Sequence, residues 1–277
     1  MLISKADGTR EAFDGSKLTR SLERSGAEAA VAQRILDDIE RELYEGITTQ
    51  EIYRRAFVRL REHRRPAAAR YSLKRAILDF GPSGFPFEAY IAELFRAEGC
   101  EAKIDQMIKG ACVEHEVDVV LKKDGTSTFV EAKFHNAAGF KTDLKTVLYV
   151  KARVDDIAAE FKSRGERTTV RGLVVTNTKF TSRAAQYSSC AGLEILSWEQ
   201  PRGLNLHDRI ERTGLYPVTA LTTLSRREKT SLLGNRVVLC RALPQETRAL
   251  AAAGVSGKKA DEVLAESGSL CAAENLK

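Results

Sequence analysis

The sequence predicts a multi-domain α/β protein: a mainly helical N-terminal part with a β-hairpin, a mixed β-sheet core flanked by helices, and a C-terminal helical segment. Turn-forming residues at 81–86 separate two helical patterns, and we place a domain boundary there. Helical and strand-like patterns alternate between residues 84 and 200, as in a sheet covered by helices. After Pro201-Arg202-Gly203, short helical pieces replace the strand-like runs, so residues 204–277 form the third predicted segment.

Composition restricts the class of protein. Of the 277 residues, 43% are hydrophobic and 30% are charged, which is enough apolar material for packed cores. No apolar run approaches the length of a membrane span, and the first residues lack the apolar core of a signal peptide, so we expect a cytoplasmic protein. The five cysteines are scattered and contain no Cys-x-x-Cys pair, which argues against a disulfide framework or structural zinc. The net charge of +6 is compatible with a polyanionic partner such as DNA.

Residues 1–80 are predicted to begin with a hairpin and to continue in helices. Two short strand-like runs flank Asp7-Gly8, a dipeptide typical of hairpin turns. Asp14 or Ser16 can cap the helix that follows, because a short polar side chain there accepts a free backbone N–H. Pro66 suits the first turn of the helix that closes this part.

This part of the sequence resembles an ATP-cone, the nucleotide-sensing module of ribonucleotide reductases and of their transcriptional repressor. The resemblance is carried by Ile3-Ser-Lys5-Ala-Asp7-Gly8, Glu11-Ala-Phe13-Asp14-Gly-Ser-Lys17-Leu18, Arg70-Tyr71 and Arg75. It implies that ATP or dATP binds the hairpin and first helix. The nucleotide-binding residues that it implies are Lys5, Glu11, Asp14 and Lys17.

The sequence departs from the ATP-cone pattern at one position. Ala6 stands where the family usually has a second basic residue, so weakened or absent phosphate binding is an alternative. A small helical domain whose lysines are simply solvated is the other open interpretation.

The middle segment contains a predicted hairpin with an unusual polar face. Asp124-Gly125 lies between two alternating runs, and a two-residue loop would pair positions whose numbers sum to 249. This register sets Asp118 opposite Glu131 and Glu116 opposite Lys133. These four side chains then share one face, while the other face, predicted to be the core, carries Val117, Val119, Val130 and Ala132.

Two opposed carboxylates in one sheet point to a metal site. Asp118 and Glu131 would repel each other in an ordinary sheet, and a divalent cation removes that penalty. Mg²⁺ takes oxygen ligands and commonly only one or two protein carboxylates, leaving room for water and phosphate. Lys133 can then stabilise charge that grows on a phosphate in the transition state. Glu88 borders the buried stripe of the preceding helix and is either a rim residue or a further site carboxylate.

The pattern formed by Asp118, twelve intervening residues and Glu131-Ala-Lys133 resembles the PD-(D/E)XK nucleases, especially the Mrr-type restriction endonuclease domains. The resemblance spans about residues 84–200. It implies that Asp118 and Glu131 bind Mg²⁺ or Mn²⁺, that Lys133 is catalytic and that Glu88 assists. The sequence has Val117 where the family usually has Pro, and a surface hairpin with a Glu/Lys pair is the alternative interpretation.

Further basic residues are candidates for DNA binding. The stretch from Gly254 to Gly257 and Lys258 resembles the hairpin of helix-hairpin-helix modules, in which these three residues would contact the DNA backbone. A helix that ends at Gly254, followed by a new helix, is the alternative. Four basic side chains of the middle segment are weaker candidates for backbone contacts: Lys141, Lys145, Lys151 and Arg153.

Taken together, the sequence predicts a metal-dependent endonuclease that hydrolyses DNA and is regulated by nucleotide at the N-terminal part. Cutting both strands would imply a homodimer that presents two sites. A non-catalytic, nucleotide-responsive DNA-binding regulator is the alternative. Action on RNA or branched DNA is also open, because the fold does not fix the substrate.

Overall fold

The computed structural model describes residues 1–5, 8–137 and 139–272 and divides into two compact units. One unit combines Met1–Ile77 with the chain from Tyr216 onward, and the other is Leu78–Leu215. Within the described ranges, no helix has the length and apolar character needed to cross a membrane.

The N-terminal part is a strand pair followed by helices, as predicted. Its elements are β1 (Leu2–Ser4), β2 (Arg10–Ala12), α1 (Gly15–Arg24), α2 (Ala29–Arg41), α3 (Thr49–His63), α4 (Arg65–Tyr71) and α5 (Leu73–Leu78). Strands β1 and β2 pair antiparallel, which confirms the hairpin, although Asp7 of its predicted turn lies outside the described residues. The Asp14 carboxylate accepts the backbone N–H of Ser16 at 3.0 Å and so caps α1.

The middle unit is built on a five-stranded mixed sheet of order β3-β4-β5-β7-β9. Its elements are α6 (Phe85–Ala97), β3 (Glu101–Lys109), β4 (Glu114–Lys123), β5 (Thr126–Lys133), β6 (Lys141–Thr142), α7 (Leu144–Ser163), β7 (Thr169–Thr176), β8 (Lys179–Phe180), α8 (Ser182–Ala191), β9 (Glu194–Leu196) and α9 (Leu206–Thr213). The first three strands are antiparallel neighbours, and β5, β7 and β9 run parallel. The predicted fold class is therefore confirmed.

Helices contact the sheet on more than its predicted core face. Helix α6 contacts β3, β4 and β5, while α7 packs over a cluster that includes Val117, Val120 and Phe129. The face with Glu131 was not the predicted core face, yet Glu131 is only 4% exposed. Val117, which was predicted to share a face with Val119, instead packs in the α7 cluster with Val120.

The strand alternation changes at Asp118. The β3–β4 pairing runs through Gln106↔Val117 and Ile104↔Val119 on either side of it, and the β4–β5 pairing begins at Val119↔Val130. The Asp118 carboxylate accepts a hydrogen bond from the backbone N–H of Ala132 at 2.7 Å, in place of a backbone hydrogen bond between the two strands. A local irregularity in a strand changes which side chains share a face. The prediction assumed an uninterrupted alternation of side chains along β4, and it therefore grouped Val117 with Val119 instead of with Val120.

The C-terminal helices complete the first unit. They are α10 (Arg226–Gly234), α11 (Thr247–Ala252) and α12 (Gly257–Cys271). Helix α12 packs against α4, and the buried Glu266 on α12 accepts four hydrogen bonds from the backbone and hydroxyl groups of Thr222 and Thr223. Helix α9, which the sequence groups with this segment, lies in the sheet unit, where Tyr90 on α6 donates to the carbonyl of Leu215 at 2.7 Å.

Candidate functional site

Three of the predicted site residues lie on neighbouring strands β4 and β5. Glu131 and Lys133 are the third-last and last residues of β5, and Asp118 lies on β4 just beyond the first β4–β5 pair. The five β4–β5 pairs all sum to 249, which confirms the predicted register over that stretch. The predicted pairs Asp118–Glu131 and Glu116–Lys133 lie beyond the end of this ladder.

The Glu131 carboxylate is buried and contacts two cations. Lys133 pairs with its Oε1 atom, and Nη1 of Arg153 donates to its Oε2 atom at 2.5 Å. The Lys133 side chain is 42% exposed, whereas Arg153, which lies on α7, is buried. A buried charge needs such partners, because desolvation without them is costly.

Burial and neighbouring acids raise the pKa of two carboxyl groups at this site, Glu88 and Asp118. Burial, followed by the charges of Asp118, Asp105, Glu116 and Glu131, raises the pKa of Glu88 to about 7. Burial and the charge of Glu131 also raise the pKa of Asp118 above its ordinary value. Because Glu88 lies in the first turn of α6, this coupling brings the predicted helix acid to the same site as the strand acids.

The donor set fits a divalent cation held by two carboxylates. Among the described residues, no three His, Cys, Asp or Glu side chains form a complete protein-only ligand set. Mg²⁺ does not need one, since it usually keeps waters and binds one or two carboxylates together with substrate phosphate. The negative charges of Asp118 and Glu88 repel each other, and a bound cation reduces this repulsion. Asp118 and Glu131 are the residues that would hold it.

Arg153 belongs to this site, although the sequence suggested that it contacts DNA. It donates to Glu131 and, through Nη2, to the Tyr149 hydroxyl at 2.6 Å, and its guanidinium lies 4.6 Å from the Tyr149 ring centre. A sequence signal for its burial exists. Arg153 follows Val150 by three residues and precedes Ile157 by four, so it lies on the buried stripe of α7.

The predicted nucleotide-binding residues are brought together in part. Lys5 pairs with Glu11 at 2.7 Å, and the Lys17 amine lies 3.9 Å from the same Glu11 oxygen. Asp14 is occupied as the cap of α1, and its hydrogen bonds with Ser16 lower its pKa. Ala6, the departure from the ATP-cone pattern, lies outside the described residues.

Of the C-terminal candidates, Gly254 lies in the turn between α11 and α12, and Gly257 and Lys258 begin α12. Gly254 has a φ of 80°, Gly254 donates to the Ala251 carbonyl at 2.9 Å, and Val255 donates to the Leu250 carbonyl at 2.9 Å. This hydrogen-bonding pattern is typical of an α-helix that ends with a glycine in the left-handed conformation. The structure therefore agrees with the alternative interpretation, in which a helix ends at Gly254. Lys258 is exposed in the first turn of α12. Such a turn joining two helices is also what the helix-hairpin-helix resemblance requires.

Comparisons with known proteins find family matches for three separate stretches of the chain. Residues 1–79 match the family described as ATP cone domain, residues 82–200 match restriction endonuclease, and residues 216–271 match AF1548-like, C-terminal. An uncharacterized protein of Archaeoglobus fulgidus is 33% identical over 177 residues, which are 64% of this chain and 97% of that protein. The crystal structure of AF1548, a protein of unknown function, matches with a TM-score of 0.56 and 32% identity over 68% of this chain and 98% of that one.

The chain belongs to the AF1548-like family. Within it, residues 1–79 are an ATP-cone domain and residues 82–200 are a restriction-endonuclease-like domain, which confirms both predicted resemblances. The MspJI restriction endonuclease in complex with a 27-mer oligonucleotide matches with a TM-score of 0.34 and 14% identity over 72% of this chain and 39% of that one. That similarity is too low to establish a shared fold.

Proposed function

We propose that the chain is a metal-dependent endonuclease that hydrolyses phosphodiester bonds of DNA. The observation that carries the proposal is the cluster of Asp118, Glu131 and Lys133 on two adjacent strands. Burial and the charges of acids that include Asp118 and Glu131 raise the pKa of Glu88 on α6. The cluster lies within the restriction-endonuclease-like domain. Acids and a lysine arranged around a common point are suited to metal-assisted hydrolysis.

Each residue of the cluster has a distinct role. Asp118 and Glu131 hold Mg²⁺ or Mn²⁺, which when bound supplies positive charge at the phosphate and a water of lowered pKa. Lys133 is the more exposed cation at Glu131, so its amine can turn to a phosphate oxygen and stabilise the charge that develops there. Arg153 stays at the buried Oε2 atom and fixes the orientation of the Glu131 carboxylate. Glu88 assists from α6.

The two ends of the chain serve regulation and DNA binding in this proposal. Lys5, Glu11, Asp14 and Lys17 bind ATP or dATP at the ATP-cone domain, and the bound nucleotide alters the nuclease activity. Gly254, in the turn before α12, and Gly257 and Lys258, at the start of α12, contact the DNA backbone, because backbone N–H groups and a lysine suit a phosphate. A homodimer presents two active sites for double-strand cutting, and the protein acts in the cytoplasm.

The Lys133 side chain offers a direct test. We expect Lys133→Ala to lower the cleavage rate of an end-labelled linear duplex in Mg²⁺ by roughly 100-fold or more, the size of effect typical for loss of one transition-state donor. Lys103→Ala is the matched control, because Lys103 is also an exposed strand lysine paired with a glutamate, Glu101. Equal rates for wild type and Lys133→Ala would contradict the assigned role. DNA binding without cleavage by wild type would instead favour the non-catalytic regulator.

A further inference from the structure

An exposed aromatic surface lies beside the proposed nuclease site. The rings of His135 and Phe140 stack with centres 5.9 Å apart and planes 7° apart, and Phe140 is 61% exposed. His135 follows Lys133 by two residues, and the Lys133 charge helps burial to lower the pKa of His135. Tyr149 is 57% exposed, and its ring centre lies 4.6 Å from the guanidinium of Arg153, the other cation at Glu131. Aromatic side chains therefore accompany both cations of Glu131: His135 and Phe140 follow Lys133 in the chain, and Tyr149 contacts Arg153.

Hydrogen bonds hold the backbone and the ring of His135 in place. The side chain of the buried Asn177 accepts the backbone N–H of His135 at 2.8 Å and donates to its carbonyl at 2.7 Å. The His135 Nε2 atom lies 3.3 Å from the Thr142 hydroxyl, and Thr142 pairs with Phe180 in the short β6–β8 sheet. Because His135 is already held in place, it loses little conformational freedom when a ligand ring binds to the stack.

The surroundings of the stack are basic. Lys141 follows Phe140 directly and pairs with Lys179 in the β6–β8 register. Lys179 and Arg202 also line a cavity of about 480 Å³ at this edge of the sheet. Lys179 forms an exposed pair with Glu199, and pairs of this kind are weak enough to exchange for a phosphate. Cationic side chains next to stacking rings are the usual combination of single-stranded nucleic acid sites.

We propose that His135 and Phe140 form a stacking platform for an unpaired nucleobase, with Lys141 and Lys179 contacting the flanking phosphates. The inference rests on the proposed nuclease function and adds the substrate class to it: DNA with unpaired nucleotides next to the scissile bond. A base in a continuous duplex is already stacked on its neighbours, so the exposed face of Phe140 favours a base that has left the stack.

The test compares two DNA substrates and two variants of the full chain. One substrate is a blunt duplex, and the other has the same sequence with splayed single-stranded arms and 2-aminopurine at the first unpaired position. Cleavage is measured in Mg²⁺, and 2-aminopurine fluorescence is measured in Ca²⁺, since stacking quenches it. Phe140→Leu removes the ring and keeps apolar bulk, while Leu204→Ala is the control, an exposed apolar residue of the same unit. Thermal unfolding verifies that both variants fold.

We expect wild type to cleave the splayed substrate faster than the blunt one and to quench 2-aminopurine. Phe140→Leu should lower splayed-substrate cleavage by roughly 5- to 150-fold, which is the range expected for one base–aromatic stack, and should abolish quenching. Leu204→Ala should behave as wild type. Phe140→Leu with the wild-type substrate preference and wild-type quenching would overturn the platform.

The two proposals fail in distinguishable ways. If wild type cleaves neither substrate but quenches 2-aminopurine, and Phe140→Leu does not quench, the nuclease function fails and the platform stands. If wild type cleaves both substrates at the same rate without quenching, the nuclease function stands and the platform fails.

Discussion

At the scale of single residues, the buried carboxylate of Glu131 determines how the site is built. Its two oxygens contact different cations, the buried Arg153 and the exposed Lys133. The sequence identified Glu131 and Lys133 through their spacing on one strand. It did not identify Arg153 as their partner, because that contact joins β5 to α7 across 22 residues, and local periodicity carries no information about which helix covers which strand.

Loss of the Arg153 guanidinium should destabilise the protein. Arg153→Leu leaves Glu131 buried with one partner fewer, and we expect the free energy of unfolding to fall by about 3 kcal/mol, in the range known for broken buried pairs. The double variant Arg153→Leu/Glu131→Leu should recover most of this loss, since apolar residues often replace buried pairs well. Urea denaturation measures both.

The matched control for this experiment is Arg171→Leu. Arg171 pairs with Glu194 at 3.1 Å, but both side chains are exposed, so its loss should cost less than about 1 kcal/mol. Equal losses for Arg153→Leu and Arg171→Leu would contradict the buried-pair account.

A second residue-scale prediction concerns acid stability. A hydrogen bond from His115, at 2.8 Å, is the main cause that lowers the pKa of Asp156 to about 2, from an ordinary value of 3.8. Because the folded-state pKa is depressed, this carboxylate stabilises the protein above about pH 4, and the contribution is lost as the pH falls through 2. We expect Asp156→Asn to lose less stability than wild type between pH 4 and pH 2 in urea titrations. Parallel pH dependence of the two proteins would show that Asp156 contributes nothing.

At the scale of secondary-structure elements, local signals predicted the hairpins and failed at the irregular strand position. Asp124-Gly125 predicted the β4–β5 register, and the strand pair β1–β2 was predicted from the two short runs that flank Asp7-Gly8. The change of face at Asp118 was not predictable, because it depends on a side-chain bond to Ala132 rather than on residue pattern. The doubly covered sheet follows from β7, whose run of buried residues needs helices on both faces.

Strand β7 also sets how closely the sheet approaches its covering residues. A Cβ atom on Gly172 would lie 2.6 Å from Leu193 Cδ1 and 2.7 Å from Val154 Cγ2. We therefore expect Gly172→Ala to lower the free energy of unfolding by about 1 to 3 kcal/mol through overpacking. Gly268→Ala is the control. Its Cβ would meet open space within α12, so it should stabilise the protein by about 0.5 to 1 kcal/mol. If Gly172→Ala had the same free energy of unfolding as wild type, the close approach of Leu193 and Val154 to Gly172 would be contradicted.

At the scale of the whole molecule, the chain joins an ATP-cone domain, a restriction-endonuclease-like domain and C-terminal helices. The sequence motifs indicated the first two, and their order along the chain is confirmed by the family matches. The structure adds that the C-terminal helices form one compact unit with the ATP-cone domain. No sequence pattern predicted this, because the packing of α12 against α4 joins segments far apart in the chain.

Nucleotide binding is testable on the intact chain. We expect millimolar ATP to raise the melting temperature of wild type, because a ligand that binds only the folded state stabilises it. Lys17→Ala should reduce the shift, while Arg41→Ala, which removes an exposed cation paired with Asp38 on α2, should not. The absence of any shift with ATP or dATP in wild type would count against nucleotide binding.

The central claim, that the acid cluster performs metal-dependent DNA hydrolysis, is tested most directly by cleavage of supercoiled plasmid. Wild type, Asp118→Asn and the control Asp155→Asn, an exposed acid on α7 that pairs with Lys151, are compared in Mg²⁺ or Mn²⁺ and in EDTA. The account predicts cleavage by wild type and Asp155→Asn only when metal is present, and a loss of roughly 100-fold or more in Asp118→Asn. Cleavage by Asp118→Asn at the wild-type rate, or no cleavage by wild type with either metal, would contradict it.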